Sequence, residues 1–222
     1  MSSKGNSKKS DVPSLRIAVL VSGSGSNLQA LIDAIESQRL PGVEIVLVVS
    51  NRADAQGLQR ALQHKIPAIY LPWAKQREIS EVKLKVLLDL FQADLIVLAG
   101  FMRIFTPDFI VQYPQRIINL HPSLLPDDGG DTYITSDGTT IPAFRGIHVV
   151  PRALEAGVKV TGTTVHYVIP EVDAGPVILR EEVRIAENDT EETLHERIKQ
   201  LEHRLVVEAV DAIARQYRAK AE

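Results

Sequence analysis

"RIAVLVSGSGSNLQALIDAI", Arg16 to Ile35, opens with an apolar run of strand length (Ile17 to Val21), turns through Ser22-Gly23-Ser24-Gly25-Ser26-Asn27 and continues as an amphipathic segment from Asn27 to Ile35. Strand, glycine-rich turn and helix form the repeating unit of an α/β fold. Glycines let a ligand approach the backbone closely, and the free amides of a helix N-terminus attract anions, so a phosphate suits this turn. Leu28 occupies the third position of a dinucleotide fingerprint, and the lysine of a Walker loop is absent. A phosphate monoester is therefore the economical ligand. A Ser/Gly turn that merely caps the helix is the competing reading.

The same rhythm recurs outward from this unit. Apolar runs at Ile45 to Val49, Ala68 to Leu71, Leu95 to Ala99 and Ile117 to Leu120 alternate with amphipathic segments at Gly57 to His64 and Val82 to Phe91. Continuous apolar strands between helices predict an α/β, doubly wound and mostly parallel sheet covered on both faces. After Gly157 the pattern turns β-rich. Lys159 to Ile169 and Pro176 to Ile185, joined by a turn at Pro170 to Gly175, predict an antiparallel hairpin added to the sheet. A long final helix is expected from Asp189, capped with Glu192 three residues on. Leu194, Ile198, Leu201, Leu205, Val206, Ala209 and Ile213 would form its buried stripe. Glu202 lies four residues from both Ile198 and Val206, and a carboxylate on that side needs a partner.

One domain over residues 15–222 is expected, preceded by a disordered tail at 1–14. A surface insertion at 127–142, "DDGGDTYITSDGTTIP", has the chemistry of two turns with room for a small hairpin. With so few apolar side chains, it is expected to be an addition to the fold and not part of the chemical site; the competing reading is that its acidic residues, Asp127, Asp128, Asp131 and Asp137, bind a cation or close over a ligand.

Composition limits the partners. The 222 residues are 45% hydrophobic, enough for a core, and 25 Lys+Arg against 28 Asp+Glu give a net charge of −3. That balance provides no electrostatic footprint for nucleic acid or an anionic membrane, and favours a small-molecule partner. No cysteine is present, which removes disulfides, thiolate nucleophiles and cysteine zinc sites. The first residues lack the apolar core of a secretory signal, and no run is long enough to span a membrane. A soluble, cytoplasmic protein is expected, or an organellar one if the tail acts as a poor transit peptide. Monomer and homodimer both fit.

Chemistry is concentrated in three further stretches. In "RIINLHPSLLP", Arg116 to Pro126, Asn119 and His121 stand two residues apart at a strand end, so both side chains share one face. The amide can donate to a developing oxyanion while the imidazole transfers a proton. A structural histidine is the plainer alternative. In "VDAGPV", Val172 to Val177, Asp173 either caps an Asx-type turn or sits near His121, where its charge would raise the imidazole pKa. In "LAGFMRIF", Leu98 to Phe105, a strand end leads into Gly100 and an apolar run. Ligands of open parallel sheets bind beyond such ends. Phe101, Met102, Ile104 and Phe105 are equally readable as core, while a buried Arg103 would require an acceptor. With no Gly-x-Ser-x-Gly and no cysteine, the nucleophile has to come from the substrate.

Taken in order, "RIAVLVSGSGSNLQALIDAI", "VVSNRADAQGLQRA", "ADLIVLAGFMRIFTP", "IINLHPSLLP" and "GTTVHYVIPEVDAGPVI" resemble the phosphoribosylglycinamide formyltransferase family, folate-dependent enzymes of purine synthesis, over about Arg16 to Ala209. The resemblance implies a catalytic trio of Asn119, His121 and Asp173. It implies a ribonucleotide site at Ser24, Gly25, Ser26, Asn27, Gly100 and Glu202. It also implies a folate site at Arg77, Met102, Arg103, Ile104, Phe105, Asn119, His166 and Val168, although a paired strand histidine accounts for His166 equally well. Two departures stand out: residues 127–142 intervene between "SLLP" and "AFRG", and the turn reads Asp-Ala-Gly-Pro where Asp-Gly-Gly-Pro is common. The second should change little, because Gly175 is retained.

The reading that follows is formyl transfer from 10-formyltetrahydrofolate, a co-substrate, to the amine of phosphoribosylglycinamide, without a metal. Asn119 and a protonated His121 would stabilise the oxyanion, and His121 or a water held by Asp173 would relay the proton. The rivals are a formyl-folate hydrolase, a transferase acting on methionyl-tRNA, and a nonenzymatic phosphate-sensing module. The first is expected to carry an N-terminal regulatory domain and the second a basic C-terminal one, neither of which is recognisable here. The third leaves the trio unexplained.

Overall fold

The computed structural model describes residues 14–220. Nearly all of the expected tail therefore lies outside the described residues. The chain runs β1 (Leu15–Val21), α1 (Ser26–Glu36), β2 (Val43–Ser50), α2 (Gln56–Gln63), β3 (Ala68–Tyr70), α3 (Arg77–Leu90), β4 (Leu95–Leu98), α4 (Pro107–Ile110), β5 (Ile117–His121), β6 (Thr132–Ile134), β7 (Thr140–Pro142), α5 (Val149–Glu155), β8 (Val160–Tyr167), β9 (Val177–Arg184) and α6 (Glu191–Ala219). Seven strands form one sheet in the order β3-β2-β1-β4-β5-β8-β9. The first five are parallel. β8 pairs antiparallel with β5, and β9 with β8, as the hairpin pattern predicts.

Side chains alternate across a strand, so β1 divides its residues between two cores. Ile17, Val19 and Val21 pack with Leu28, Leu31 and Leu58 and with Leu205, Val206 and Ala209 of α6. Ala18 and Leu20 face the other way, onto Leu84 and Leu88 of α3 and the aromatic group of Phe101, Phe105 and Phe109. Burial on both faces explains why the strands read as unbroken apolar runs. Their C-terminal ends, at Val21, Leu98 and His121, open toward the same edge of the sheet.

Three local expectations need correction. α3 begins at Arg77, before Val82, because its inward positions include polar Ser80 and Glu81 while Val82, Val86 and Leu90 are exposed. Buried Glu81 is satisfied by Thr106, whose backbone N and Oγ1 both donate to it at 2.6 Å. α6 is capped by Thr190, whose Oγ1 accepts from Thr193 N while Thr193 Oγ1 accepts from Thr190 N, instead of by Asp189 with Glu192. Val210 and Ala214 complete its buried stripe, whereas Leu201 and Ile213 are only partly buried.

Residues 127–142 contain a two-stranded antiparallel hairpin of β6 and β7. Ile141 is buried against Leu124 and Val160. The hairpin lies beside β9: Arg180 donates to Asp127, and Glu182 accepts from Tyr133 Oη and from Ser136 N and Oγ. β9 is one edge of the sheet and carries Arg180, Glu181, Glu182 and Arg184. The other edge, β3, is three residues long.

Candidate active site

A cleft of about 890 Å³ runs across the C-terminal ends of the parallel strands. At one end Asn27, just past the turn after β1, lines it with Glu202. Gly25 takes φ 68°, and no side chain caps α1 there, so the first amides of the helix are left without a side-chain acceptor. That favours an anion site over a satisfied N-cap. Gly25 and Gly57 pack so closely that a Cβ on Gly25 would lie 2.6 Å from Gly57 Cα. Gly57 N donates to Gly23 O at 3.1 Å, and Arg60 Nε donates to Ser24 O at 2.8 Å, so α2 braces the turn from behind. Asn27 Nδ2 donates to Glu202 Oε2 at 3.0 Å, which supplies the partner that carboxylate needed. Asn27 Oδ1 is buried without a hydrogen-bond partner.

Strand pairing sets the other end of the cleft. Asn119 stands opposite His166 across β5 and β8, with Asn119 Nδ2 3.2 Å from His166 Nε2. His166 Nδ1 lies 3.0 Å from Tyr167 O, a donor's position, and Nε2 faces both the Asn119 amide and the Asp173 carboxylate. His121 is buried, with Nε2 2.7 Å from Phe144 O, a donor's position, and Nδ1 3.5 Å from Asp173 Oδ2. Asp173 Oδ1 lies 3.6 Å from His166 Nε2. Asn119, His121, His166 and Asp173 thus meet in one cluster. Asp173 sits at φ 51°, and its Oδ2 accepts from Gly146 N at 2.8 Å. A Cβ on Gly175 would fall 1.8 Å from Tyr167 O, so this turn needs Gly175, while Ala174 is accommodated.

Between the two ends, Gly100, Met102, Arg103, Ile104 and Phe105 line the cleft, with Val168 opposite. Met102 N donates to Ser22 Oγ at 2.8 Å, and Ser22 N to Gly100 O at 3.1 Å, which ties this segment to the turn after β1. Phe101 and Phe105 belong to the core, stacked in series with Phe109, with Trp73 edge-on at one end and Tyr113 tilted at the other. Met102 and Ile104 are exposed in the cleft. Arg103 is exposed too, so no buried acceptor is required of it. Arg77, at the start of α3, stands at the rim. Ser26 lines a separate hollow of about 640 Å³ shared with Arg60, His203 and Arg204; Ser24 and Gly25 line neither.

Residues 15–210 match the family described as formyl transferase. The chain belongs to that family. It is 40% identical over 191 residues to phosphoribosylglycinamide formyltransferase of Escherichia coli (strain K12), covering 85% of this chain and 82% of that one. It is 41% identical over 203 residues to the trifunctional purine biosynthetic protein adenosine-3 of Bos taurus, covering 90% of this chain but spanning only 18% of that relative's length. The structure of glycinamide ribonucleotide transformylase 1 from Symbiobacterium toebii superposes with a TM-score of 0.81 at 39% identity, over 91% of this chain and 89% of that one.

The electrostatics of the cleft depart from expectation at His121. Burial pushes its pKa below the ordinary histidine value and outweighs the upward pull of Asp173 and of the bond to Phe144 O; His166 and Arg145 add to the depression. The proximity of Asp173 was legible, but the stronger desolvation was not. Burial raises the Asp173 pKa, but hydrogen bonding to His166, the His121 charge and the Gly146 amide together hold it below the usual carboxylate value. Burial raises the Glu202 pKa despite the bond from Asn27. Sequence reasoning missed Trp73, Ile147 and His148 in the cleft wall, and Ser22 behind it. Ser22 lay in view inside the quoted turn; its role depends on Asn51 and Met102, both remote in sequence. Among the described residues, no group of three or more His, Cys, Asp or Glu side chains is arranged to hold a metal.

Proposed function

We propose that this chain transfers the formyl group of 10-formyltetrahydrofolate to the amine of phosphoribosylglycinamide, in purine synthesis, with Asn119, His121 and Asp173 as the reacting trio. The observation that carries the reading is the convergence of these three side chains on one cleft whose ends differ in chemistry: bare helix amides on one side, exposed Met102 and Ile104 on the other. The ribonucleotide phosphate would lie against the amides of Gly25, Ser26 and Asn27, and Glu202 would meet the glycinamide portion. The folate would lie along Met102 to Phe105, Val168 and His166, with its acidic tail toward Arg77. Both ligands are small molecules, so neither nucleic acid nor membrane enters this reading, and a cytoplasmic setting belongs to it.

The neutral amine attacks the formyl carbon, a C–N bond forms, and the carbonyl oxygen becomes an oxyanion. Asn119 Nδ2 has a second hydrogen free of His166 and can donate it there. Because burial keeps His121 neutral, the proton on the new ammonium moves to Nδ1, beside Asp173, directly or through one water. The same proton is then delivered to the departing folate nitrogen, the C–N bond to folate breaks, and tetrahydrofolate leaves. A neutral His121 that gains its proton during the reaction replaces the protonated His121 expected from sequence.

Steady-state assay with phosphoribosylglycinamide, methionyl-tRNA and water as competing acceptors tests this. Turnover should require the ribonucleotide. Formate release at a comparable rate without it would favour the hydrolase instead.

A further inference from the structure

We propose that Arg145 is a positioning residue for formyl transfer: its guanidinium ties the 127–142 segment to the Asp173 turn and so holds the Asp173 carboxylate against His121 and His166. The proposal rests on the reading of Asp173 as part of the proton relay. Arg145 Nε donates to Asp173 O at 3.0 Å, while Nη2 donates to Gly129 O at 2.8 Å and Gly130 O at 2.6 Å. A planar guanidinium can span acceptors on two loops at once, which one ammonium cannot reproduce. A second contact joins the same two loops: Gly129, at φ +70°, packs so that a Cβ there would lie 3.3 Å from Ala174 O.

The neighbours of Arg145 hold the rest of the cluster. Phe144 O accepts from His121, and Gly146 N donates to Asp173. Ala143 to Gly146 is therefore a strap across the catalytic cluster, tied on one side by Arg152 Nη1 to Arg145 O at 2.8 Å and on the other by the 127–142 segment. Asp173 needs such support because a non-glycine residue at φ 51° holds its conformation only when its surroundings impose it. This departs from the expectation that 127–142 is a bystander.

Arg145→Gln and Arg145→Lys would be made in the full chain, and Arg145→Gln also in a chain with Pro126 joined to Ala143. Arg145→Gln should lower kcat about tenfold, with KM for the ribonucleotide within about twofold of wild type. Arg145→Lys keeps the positive charge near His121 but loosens Asp173, whose charge raises the His121 pKa, so the acid limb of its kcat profile should move to lower pH as kcat falls; in Arg145→Gln the lost charge opposes that shift. The deletion should lose kcat to a similar extent, with no further loss when Arg145→Gln is added. Wild-type kcat in Arg145→Gln or Arg145→Lys overturns the proposal, as does an undiminished tenfold loss from Arg145→Gln within the deletion. If the deletion fails to fold, the point variants and their pH profiles decide. Asp173→Asn, measured alongside, separates the two claims: if it keeps wild-type kcat, the relay itself is wrong, whereas its loss beside an unaffected Arg145→Gln removes only the role of Arg145.

Discussion

The two ends of the cleft are built from different parts of the chain. The turn at Ser22 to Asn27 presents backbone, and what it demands of its residues is mostly the absence of side chain: Gly25 at φ 68° faces Gly57 with no room for a Cβ. The cluster of Asn119, His121, His166 and Asp173 presents side chains, each held by a group distant in sequence. The first end should therefore fail through shape and binding, and the second through rate.

The largest effect that could break this contrast lies at the second end. His121→Ala, Asn119→Ala and Asp173→Asn should each lower kcat by ~10²-fold or more, the scale of one lost proton-transfer group or oxyanion donor. Calorimetry should find ribonucleotide affinity nearly unchanged; a parallel loss of affinity would mean that the two ends are not separable. At the first end, Gly25→Ala forces an L residue into the left-handed region against Gly57, at a cost of about 1–3 kcal/mol. It should raise KM for the ribonucleotide on the order of tenfold, an effect of about 1.4 kcal/mol, and lower the melting temperature while kcat at saturation changes little.

A pH profile sharpens the same contrast. His121 is depressed in the folded chain, so the unfolded chain takes up that proton first, and stability contributed by a neutral His121 declines as pH falls below the ordinary histidine value of ~6.5. The acid limb of kcat should lie below that value. Asp173→Asn removes an upward influence, so the limb of its residual activity should move lower still. Asp173 itself, depressed in the fold, contributes stability above its ordinary carboxylate pKa that is lost as pH falls through its folded value. The smallest effect is expected at the α6 cap, next to the cleft-lining Glu191: Thr190→Ala should cost about 1 kcal/mol by urea unfolding, as for a lost N-cap, with kcat changed less than by any substitution above.

Much of the fold was legible because burial on both faces of a parallel sheet leaves unbroken apolar runs, as in Ile17 to Val21. The start of α3 was not, because its inward Ser80 and Glu81 are satisfied by groups some distance away, Thr106 in the case of Glu81, and its outward face is apolar. Asn119 and His121 could be paired from strand alternation alone. Asp173 beside His121 was one of two readings of its turn, and adding His166 depended on family resemblance, since β5, β8 and the following turn are far apart in sequence. Arg145 was invisible to both approaches: its meaning lies in carbonyls of Gly129, Gly130 and Asp173, and any residue has a carbonyl.

The two margins of the sheet bear on how the protein behaves when concentrated. An unpaired strand edge is a template for another chain, and proteins blunt it by shortness or by charge. Here β3 offers only three residues, and β9 places Arg180, Glu181, Glu182 and Arg184 along its length, with the β6–β7 hairpin beside it and Arg204 of α6 bonded to Glu181. Neither margin offers a long apolar strand to a second copy. Edge-to-edge aggregation is disfavoured in the folded state, and the segment that is bonded to Arg145 through Gly129 and Gly130 also shields, through its hairpin, the margin where such aggregation would begin.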